Sequence, residues 1–347
     1  MKYQLFTLPL CFLLFATACH KHAELTKSPF QHFQDEDNLV HLTLKTDLSY
    51  LMSDQEDFEY QPAELSLKKN NCSEEHFHLE VKPRGVFRKA QCSFPPLKIR
   101  FPDEVLAKGG FMDYPTLKLV THCEEDPGYD QLILKEYLTF KLYNELTDNS
   151  FKAQLVKVNY CDTGKKIEEV QRFGFLIEHP RELANRMEGR ILGETFGVPK
   201  NIHLPAYKVF TLFQYMIGNT DWGLSNRHNV ALVQCKMDGM ALPVPVPYDF
   251  DFCGLVDAPY AIPHHNHPIS DVKERYFQWR AGETDFSDVF DLFESKKEKL
   301  LGIISDCPYL TDSVRVEALD YLNSFFEVLE TPEVIMGERI SAVTKME

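Results

Sequence analysis

Two short segments in the second half of the chain carry acidic residues whose spacing suits chemistry. The segment 218–229 contains Asp221 and runs into an apolar stretch, and the segment 244–252 ends with Asp249 and Asp251. Residues two apart on a strand point to the same side, so Asp249 and Asp251 are predicted to face one site. Two like charges held close together need compensation, which a hard divalent cation with oxygen ligands supplies.

This arrangement predicts phosphoryl transfer from a nucleotide, in which one acid positions the acceptor hydroxyl while an Asn and a later Asp hold the metal. Asp221 fits the first role because it lies in a loop that leads into a strand. Asn226 stands five positions after Asp221, the spacing of protein kinases, whereas Asn229 abuts the strand. Asn229 is favoured as the metal ligand beside Asp249 and Asp251 because a strand would fix its backbone, and Asn226 is the alternative.

The elements that must position these residues divide into a strand-rich first half and a helical second half. Apolar residues alternate with polar ones, as in half-buried strands, around 40–44, 77–81, 97–101, 117–120, 155–160 and 173–177. Helical spacing of apolar residues is found over 130–144, with Asp130 as the expected N-cap, and over 181–196, 206–217, 285–304 and 312–329. Strands followed by helices predict an α+β fold with two lobes, divided near residue 179.

The N-terminal segment has the pattern of an export signal. Lys2 precedes an apolar run and small residues that end at Cys19, so residues 1–18 are predicted to be a signal peptide. The Ala-Thr-Ala-Cys ending resembles a bacterial lipobox, which predicts a lipid anchor on Cys19 and a place in the cell envelope of a bacterium. The alternative is a plain secreted protein in which Cys19 is incidental.

The remaining chain is predicted to form a tether and two lobes. Residues 19–37 are polar and without steady periodicity, as expected of a tether. A β-rich N-lobe is expected over 38–179 and a helical C-lobe over 180–347, with the acidic segments in an insert at 218–270.

Charge and cysteine content constrain the partners and the compartment. The chain has 37 Lys and Arg against 52 Asp and Glu, and its net charge of −15 argues against nucleic acid as a partner. Seven cysteines follow Cys19, so at least one thiol is expected to stay free. In an exported protein, Cys72 and Cys92 are the expected disulfide pair.

The chain resembles the CotH-type family of atypical, secreted protein kinases, in a version found on bacterial lipoproteins. The resemblance is carried by the Arg84-Gly85 turn and by 94–101, 130–138, 174–178, the Asp221 loop and 247–251. It implies a protein-kinase-like fold that binds ATP with Mg²⁺ or Mn²⁺. It also implies transfer of the γ-phosphate to a protein Ser, Thr or another hydroxyl-bearing acceptor.

A kinase of this kind needs a cation on its first lobe to hold the phosphates. Lys98 and Lys118 lie on predicted strands with side chains opposite their apolar neighbours, so both are candidates. Lys135 and Glu136 on the following helix are candidates for the group that orients this cation. Glu178 is expected near the hinge, where backbone groups meet the adenine.

Two other functions stay open at this point. A catalytically inactive, kinase-like surface lipoprotein would bind a ligand or partner, and the absence of a GxGxxG loop supports it. A metal-dependent hydrolase would use Asp249 and Asp251 with His228 and the histidines at 264, 265 and 267, but it lacks a clear nucleophile.

Overall fold

The structure is a computed structural model that describes residues 27–35, 38–53, 58–69, 73–193, 201–237, 239–263, 265–282, 284–333 and 335. The predicted signal peptide and Cys19 lie outside the described residues, as do Cys72 and His264. Within the described ranges, no helix is both long enough and apolar enough to cross a membrane.

Seven strands of the first half close into a barrel. These strands are β1 Val40–Thr46, β2 Gln61–Lys68, β3 Glu75–Pro83, β4 Leu97–Arg100, β5 Thr116–Val120, β6 Ala153–Asp162 and β7 Val170–Ile177. Their order around the barrel is β1-β2-β3-β4-β5-β7-β6, and β1 closes it by pairing in parallel with β6. All other neighbours are antiparallel. The barrel leaves no open sheet edge, and in this it differs from the N-lobe of a protein kinase.

Side-chain alternation explains which residues fill the barrel and which face outward. Leu97 and Leu117 are almost fully buried, and each neighbours a lysine on its strand. Lys98 on β4 and Lys118 on β5 are paired in register and therefore stand together on the outer face.

The second half is mainly helical and carries a small antiparallel sheet. The helices of the whole chain are α1 Pro29–Phe33, α2 Leu48–Leu51, α3 Phe87–Gln91, α4 Asp103–Gly109, α5 Gly128–Leu146, α6 Pro180–Arg186, α7 Leu204–Met216, α8 Ser287–Ser305 and α9 Asp312–Leu329. The second sheet contains β8 Arg190–Ile191, β9 Val230–Met237 and β10 Met240–Pro247, in the order β10-β9-β8. Strands in the first half and helices in the second confirm the mixed α and β composition.

Two helix predictions differ from the structure. The helix predicted over 181–196 ends at Arg186, and β8 follows it. The helix predicted from Asp130 begins at Gly128, so Asp130 lies inside α5 and does not cap it. Its carboxylate instead accepts the backbone N–H of Phe173 at 3.2 Å, which fastens α5 to β7.

Helix α5 lies between the barrel and the helical half and packs against both. Phe140 on α5 packs against Phe175 of β7, with ring centroids 5.5 Å apart. On its other side, Tyr143 packs against Phe213 of α7 at 4.6 Å. Because α5 is held on both sides, a side chain on it has a fixed position relative to both halves.

A disulfide joins Cys92 to Cys123, so the predicted pairing of Cys92 with Cys72 is wrong. Cys92 follows α3, and Cys123 follows β5. Phe94 and Cys123 form an antiparallel bridge, which brings the two segments side by side. The pairing depends on this contact between segments 31 residues apart and not on nearness in sequence. The free cysteines of the described chain are Cys161, Cys235, Cys253 and Cys307.

We predict that the double substitution Cys92→Ser/Cys123→Ser lowers the free energy of unfolding by about 3–4 kcal/mol, because a loop of this length loses its cross-link in the unfolded state. Denaturant unfolding measures the loss. Cys161→Ser is the control and should leave stability nearly unchanged, since that thiol is free. A peptide map of the native protein that links Cys92 to Cys72 would contradict the structure.

Candidate active site

One pocket of about 250 Å³ is lined by Asp221, Asn229, Asp249 and Asp251. The segment 84–88 forms the opposite wall of this pocket. The structure therefore brings together the acid of the first motif and both acids of the second. Their chemical roles stay predictions.

Asn226, the alternative metal ligand, does not line this pocket. It is exposed on the turn between Gly223 and His228, where its side-chain oxygen accepts the backbone N–H of His228 at 3.3 Å. The side chain of Asn226 also fills the space next to Gly223, since a Cβ added there would lie 2.2 Å from its oxygen. Of the two asparagines, Asn229 is the one beside the acids.

The loop that carries Asp221 is shaped by a buried asparagine. The amide of Asn219 donates to the Gln214 side chain of α7 at 3.0 Å, and its oxygen accepts the N–H of Asp221 at 3.0 Å. Gly218 before it has a φ of +64°, and an added Cβ would lie 2.1 Å from the hydroxyl of Tyr321. Only glycine fits this turn, which aims the chain from α7 toward the pocket.

Two donors hold the Asp221 carboxylate. His228 Nε2 lies 2.8 Å from Oδ1, and the Asn229 amide donates to Oδ2 at 2.9 Å. The same amide also donates to the Asp221 carbonyl at 2.9 Å. The nitrogen of Asn229 is therefore committed to Asp221, while its side-chain oxygen is available as a ligand.

Asp249 and Asp251 reach the pocket by a different route from the one predicted. Strand β10 ends at Pro247, so the two acids lie beyond it, and Asp249 has a left-handed φ of +66°. Strand alternation does not bring them together. Phe250 between them is buried and packs against Phe140 of α5 at 4.8 Å. This anchored ring and the turn of the backbone hold both carboxylates on the pocket side.

Glu136 completes an acidic cluster at the base of the site. One carboxylate oxygen each from Glu136, Asp249 and Asp251 lies within 4.8 Å of the others. Glu136 is on α5 and only 1 % exposed, and its Oε1 is buried without a hydrogen-bond partner. Among the described residues this is the only cluster of three or more candidate metal-ligating side chains, and His265 and His267 do not belong to it.

Arg88 on α3 bridges two of these acids. Its Nη2 donates to Glu136 Oε2 at 2.6 Å and its Nε donates to Asp251 Oδ2 at 2.8 Å. The Tyr260 hydroxyl also donates to Asp251 Oδ2 at 3.1 Å. Burial of Arg88 opposes its charge, but the two acids hold its pKa well above the usual range. Arg88 is therefore a fixed cation in the wall of the site.

Local patterns in the sequence did not predict Arg88 as a cation of the site. Glu136 was predicted as the partner of Lys98 or Lys118, but in the structure it pairs with Arg88. Lys135 is also buried, but its electrostatic neighbours are Glu317 and Asp257. The sequence feature that could have indicated a cation here is the pair Arg84 and Arg88. These arginines flank a glycine and two apolar residues, and Cys92 follows four positions after Arg88.

The acids outnumber the cations that neutralise them. Burial raises the pKa of Glu136 to about 7, which Arg88 opposes and the two aspartates reinforce. Burial likewise raises the pKa of Asp251. Burial therefore disfavours the charged form of both carboxyls, and Arg88 opposes this effect.

None of the four predicted nucleotide-binding residues, Lys98, Lys118, Glu136 and Glu178, lines the pocket. Lys118 borders it, with Nζ 5.0 Å from the ring centroid of Tyr248, which precedes Asp249. Burial, Arg84 and Lys98 lower the pKa of Lys118 to about 8, opposed by Asp249. Lys98 is its neighbour across β4 and β5.

Glu178 has a structural ion pair. Its two carboxylate oxygens accept from Arg186 at 3.1 Å and 2.9 Å, and Oε2 also accepts the backbone N–H of Lys152 at 3.0 Å. These bonds fasten α6 to the end of the barrel and occupy both carboxylate oxygens.

Comparison with known proteins gives little support for any assignment. No family model matches the chain, and no curated protein matches it. A proinflammatory kinase of Helicobacter pylori, CtkA, is similar in structure at 10 % identity, over 72 % of this chain and 95 % of that one, with a TM-score of 0.33. A TM-score this low does not establish a shared fold.

We predict that Glu136→Gln flattens the pH dependence of stability. The folded state holds the Glu136 proton up to a pKa of about 7, compared with the ordinary 4.5. It therefore binds more protons than the unfolded state between these values, and the free energy of unfolding falls by up to about 3 kcal/mol as the pH rises through this window. Glutamine has no proton to lose and removes this contribution.

Denaturant unfolding at pH 5 and pH 8 tests this expectation. Glu145→Gln, on the same helix, is the matched control, because Lys296 lowers the pKa of Glu145 and its titration lies below this window. That variant should retain the wild-type difference between the two pH values. An unchanged difference in Glu136→Gln would show that Glu136 ionises normally.

Proposed function

We propose that the protein is an ATP- and metal-dependent phosphotransferase of the CotH-like atypical kinase kind. It would transfer the γ-phosphate to a protein Ser or Thr or to another hydroxyl-bearing acceptor. The observation that carries the proposal is that Asp221 and Asn229 share one pocket with Asp249 and Asp251, walled by an arginine-containing segment. In this account the barrel takes the place of the β-rich N-lobe.

The acids suit Mg²⁺ or Mn²⁺, with Asp249, Asp251 and the side-chain oxygen of Asn229 as the ligands. Two observations support the fit: the buried Glu136 Oε1 has no partner, and the three clustered carboxylates have one bridging guanidinium. Hard cations prefer such oxygen ligands. A metal bound there would offset charge on the nucleotide phosphates.

Arg84 supplies a second positive group at the pocket. It is half-buried, and its guanidinium makes no ion pair with another described residue. The carboxylate with the strongest influence on it is Asp249. A cation so placed can bind phosphate oxygens next to the metal ligands, and Lys118 and Lys98 continue the positive surface along the outer face of the barrel.

In this proposal, Asp221 receives the proton of the acceptor hydroxyl. His228 and Asn229 fix the orientation of its carboxylate, which is 32 % exposed and therefore open to an acceptor. As the acceptor oxygen bonds to the γ-phosphorus, the bond from that phosphorus to the β–γ bridging oxygen breaks and ADP leaves. The hydroxyl proton passes to Asp221.

The cellular setting is part of the proposal. The signal and lipobox pattern supports export and a membrane anchor through Cys19. The disulfide between Cys92 and Cys123 supports an oxidising compartment, because such bonds seldom persist in the cytosol.

A kinase-like protein that binds a ligand without catalysis is the second candidate. One observation favours it: Asp251 Oδ2 already accepts from both Arg88 and Tyr260. These two hydrogen bonds satisfy Asp251 Oδ2 without a metal ion bound to it. Transfer of label from ATP separates the two candidates.

We predict that Asp221→Ala lowers phosphate transfer by about 10²–10⁴-fold, because the proton acceptor is lost. Its stabilisation by ATP with Mg²⁺ or Mn²⁺ should persist, whereas Asp249→Ala should lose that stabilisation. Labelled ATP and thermal melting measure the two effects. Asn226→Ala is the control and should retain both, since Asn226 lies on the exposed turn. Undiminished transfer by Asp221→Ala would reject its role.

We predict that Arg84→Met weakens binding of ATP with metal by about 10–100-fold. This range corresponds to the free energy of one hydrogen bond to a charged group, which the substitution removes. Calorimetric titration measures the dissociation constant. Arg100→Met is the matched control, because Arg100 pairs with Glu80 and stacks on Tyr60 away from the pocket lining. Equal affinity of Arg84→Met and the wild type would exclude Arg84 from phosphate binding.

A further inference from the structure

A second cavity, of about 530 Å³, opens at one end of the barrel and shares no lining residue with the candidate active site. Its inner surface includes Phe94, His122 and Arg172. Around these lie the apolar side chains of Leu48, Met52, Ile167 and Val170, and the charged side chains of Glu125, Lys166, Glu168 and Glu169. Its volume lies in the range of small-molecule sites, and barrel mouths are frequent places for them.

Arg172 is a largely buried charged residue of this cavity whose Nε has no hydrogen-bond partner. It stands on β7 opposite Val158 of β6 and is only 8 % exposed. Its Nε is buried without a hydrogen-bond partner, and the guanidinium forms no ion pair with any described residue. A largely buried guanidinium without an anionic partner is costly, because it has lost part of its hydration and gained no counter-charge.

Two further polar groups beside Arg172 also have no partner. His122 Nδ1 and the Tyr160 hydroxyl are buried and make no hydrogen bond. Phe94 stacks on His122 with centroids 4.7 Å apart and lies 4.6 Å from the Tyr160 ring. Burial, together with Arg172, lowers the pKa of His122 to about 3, so its imidazole is neutral at physiological pH. Two of the three unsatisfied groups therefore lie against the Phe94 ring, and the third, Arg172, lines the same cavity.

The inner part of the cavity is held in shape by the barrel and by the disulfide. The Phe94 N–H donates to the Cys123 carbonyl at 2.9 Å, and the Thr121 hydroxyl donates to the Phe94 carbonyl at 3.1 Å. Cys123 follows His122 and is bonded to Cys92. A ligand would therefore meet preformed walls, which lowers the entropic cost of binding.

We propose that this barrel-end cavity binds a small organic acid with one carboxylate and an apolar body. The carboxylate would pair with Arg172, and the apolar body would pack against Phe94 and the surrounding aliphatic side chains. The exposed rim carries three glutamates and one lysine, Lys166. This excess of negative charge disfavours a polyanion such as a nucleotide. This site is independent of the proposed phosphotransferase activity.

Calorimetric titration of the purified protein with phenylacetate, benzoate and 3-phenylpropionate tests the proposal, with neutral phenylacetamide as the ligand control. At least one of the acids should bind saturably, and the amide should bind at least about tenfold more weakly, because it cannot neutralise Arg172. This comparison uses the unaltered protein.

Two variants complete the test. Arg172→Met should weaken binding of the acid at least about tenfold and raise the melting temperature of the ligand-free protein, because it removes a buried unpaired charge. Arg100→Met is the matched control and should retain the wild-type affinity, because Arg100 pairs with Glu80 and does not line this cavity. The proposal is overturned if none of the three acids binds, if the amide binds equally well, or if Arg172→Met binds as tightly as the wild type.

Discussion

The buried bridge from Arg88 to Glu136 and Asp251 is the interaction on which the candidate active site depends. It joins α3 to α5 and to the turn after β10 through two charge-assisted hydrogen bonds. Removing one partner of a buried ion pair costs about 3–5 kcal/mol, because the remaining charge is uncompensated. The bridge therefore fixes the distance between the segment 84–88 and the acids, and with it the width of the pocket.

The site also contains backbone conformations and clustered charges that lower the stability of the folded protein. Asn229 and Asp249 both have left-handed φ values, which cost roughly 1–2 kcal/mol each for residues with a Cβ. The hydrogen bond from the Tyr248 N–H to the Asn229 carbonyl and the packing of Phe250 hold these conformations. Backbone strain and clustered acids at one place are characteristic of functional sites. Their cost in stability is offset by packing elsewhere in the protein.

Local patterns in the sequence predicted most strands, the main helices and the acids of the pocket. They could not predict closure of the barrel, because β1 pairs with β6, more than a hundred residues later, and β2 was not recognised. Arg88 was missed for the same reason: its partners lie 48 and 163 residues away. Glu178 was expected near the adenine, but its ion pair with Arg186 could be seen only once α6 was placed.

The account depends on a metal and a polyphosphate meeting at these acids. A crystal structure with Mn²⁺ and a non-hydrolysable ATP analogue, using anomalous scattering to locate the metal, tests this most directly. The account predicts an anomalous peak within ligand distance of Asp249 and Asp251, with phosphate oxygens against Arg84. Mn²⁺ and the nucleotide bound at another place, or neither bound at saturating concentration, would contradict it.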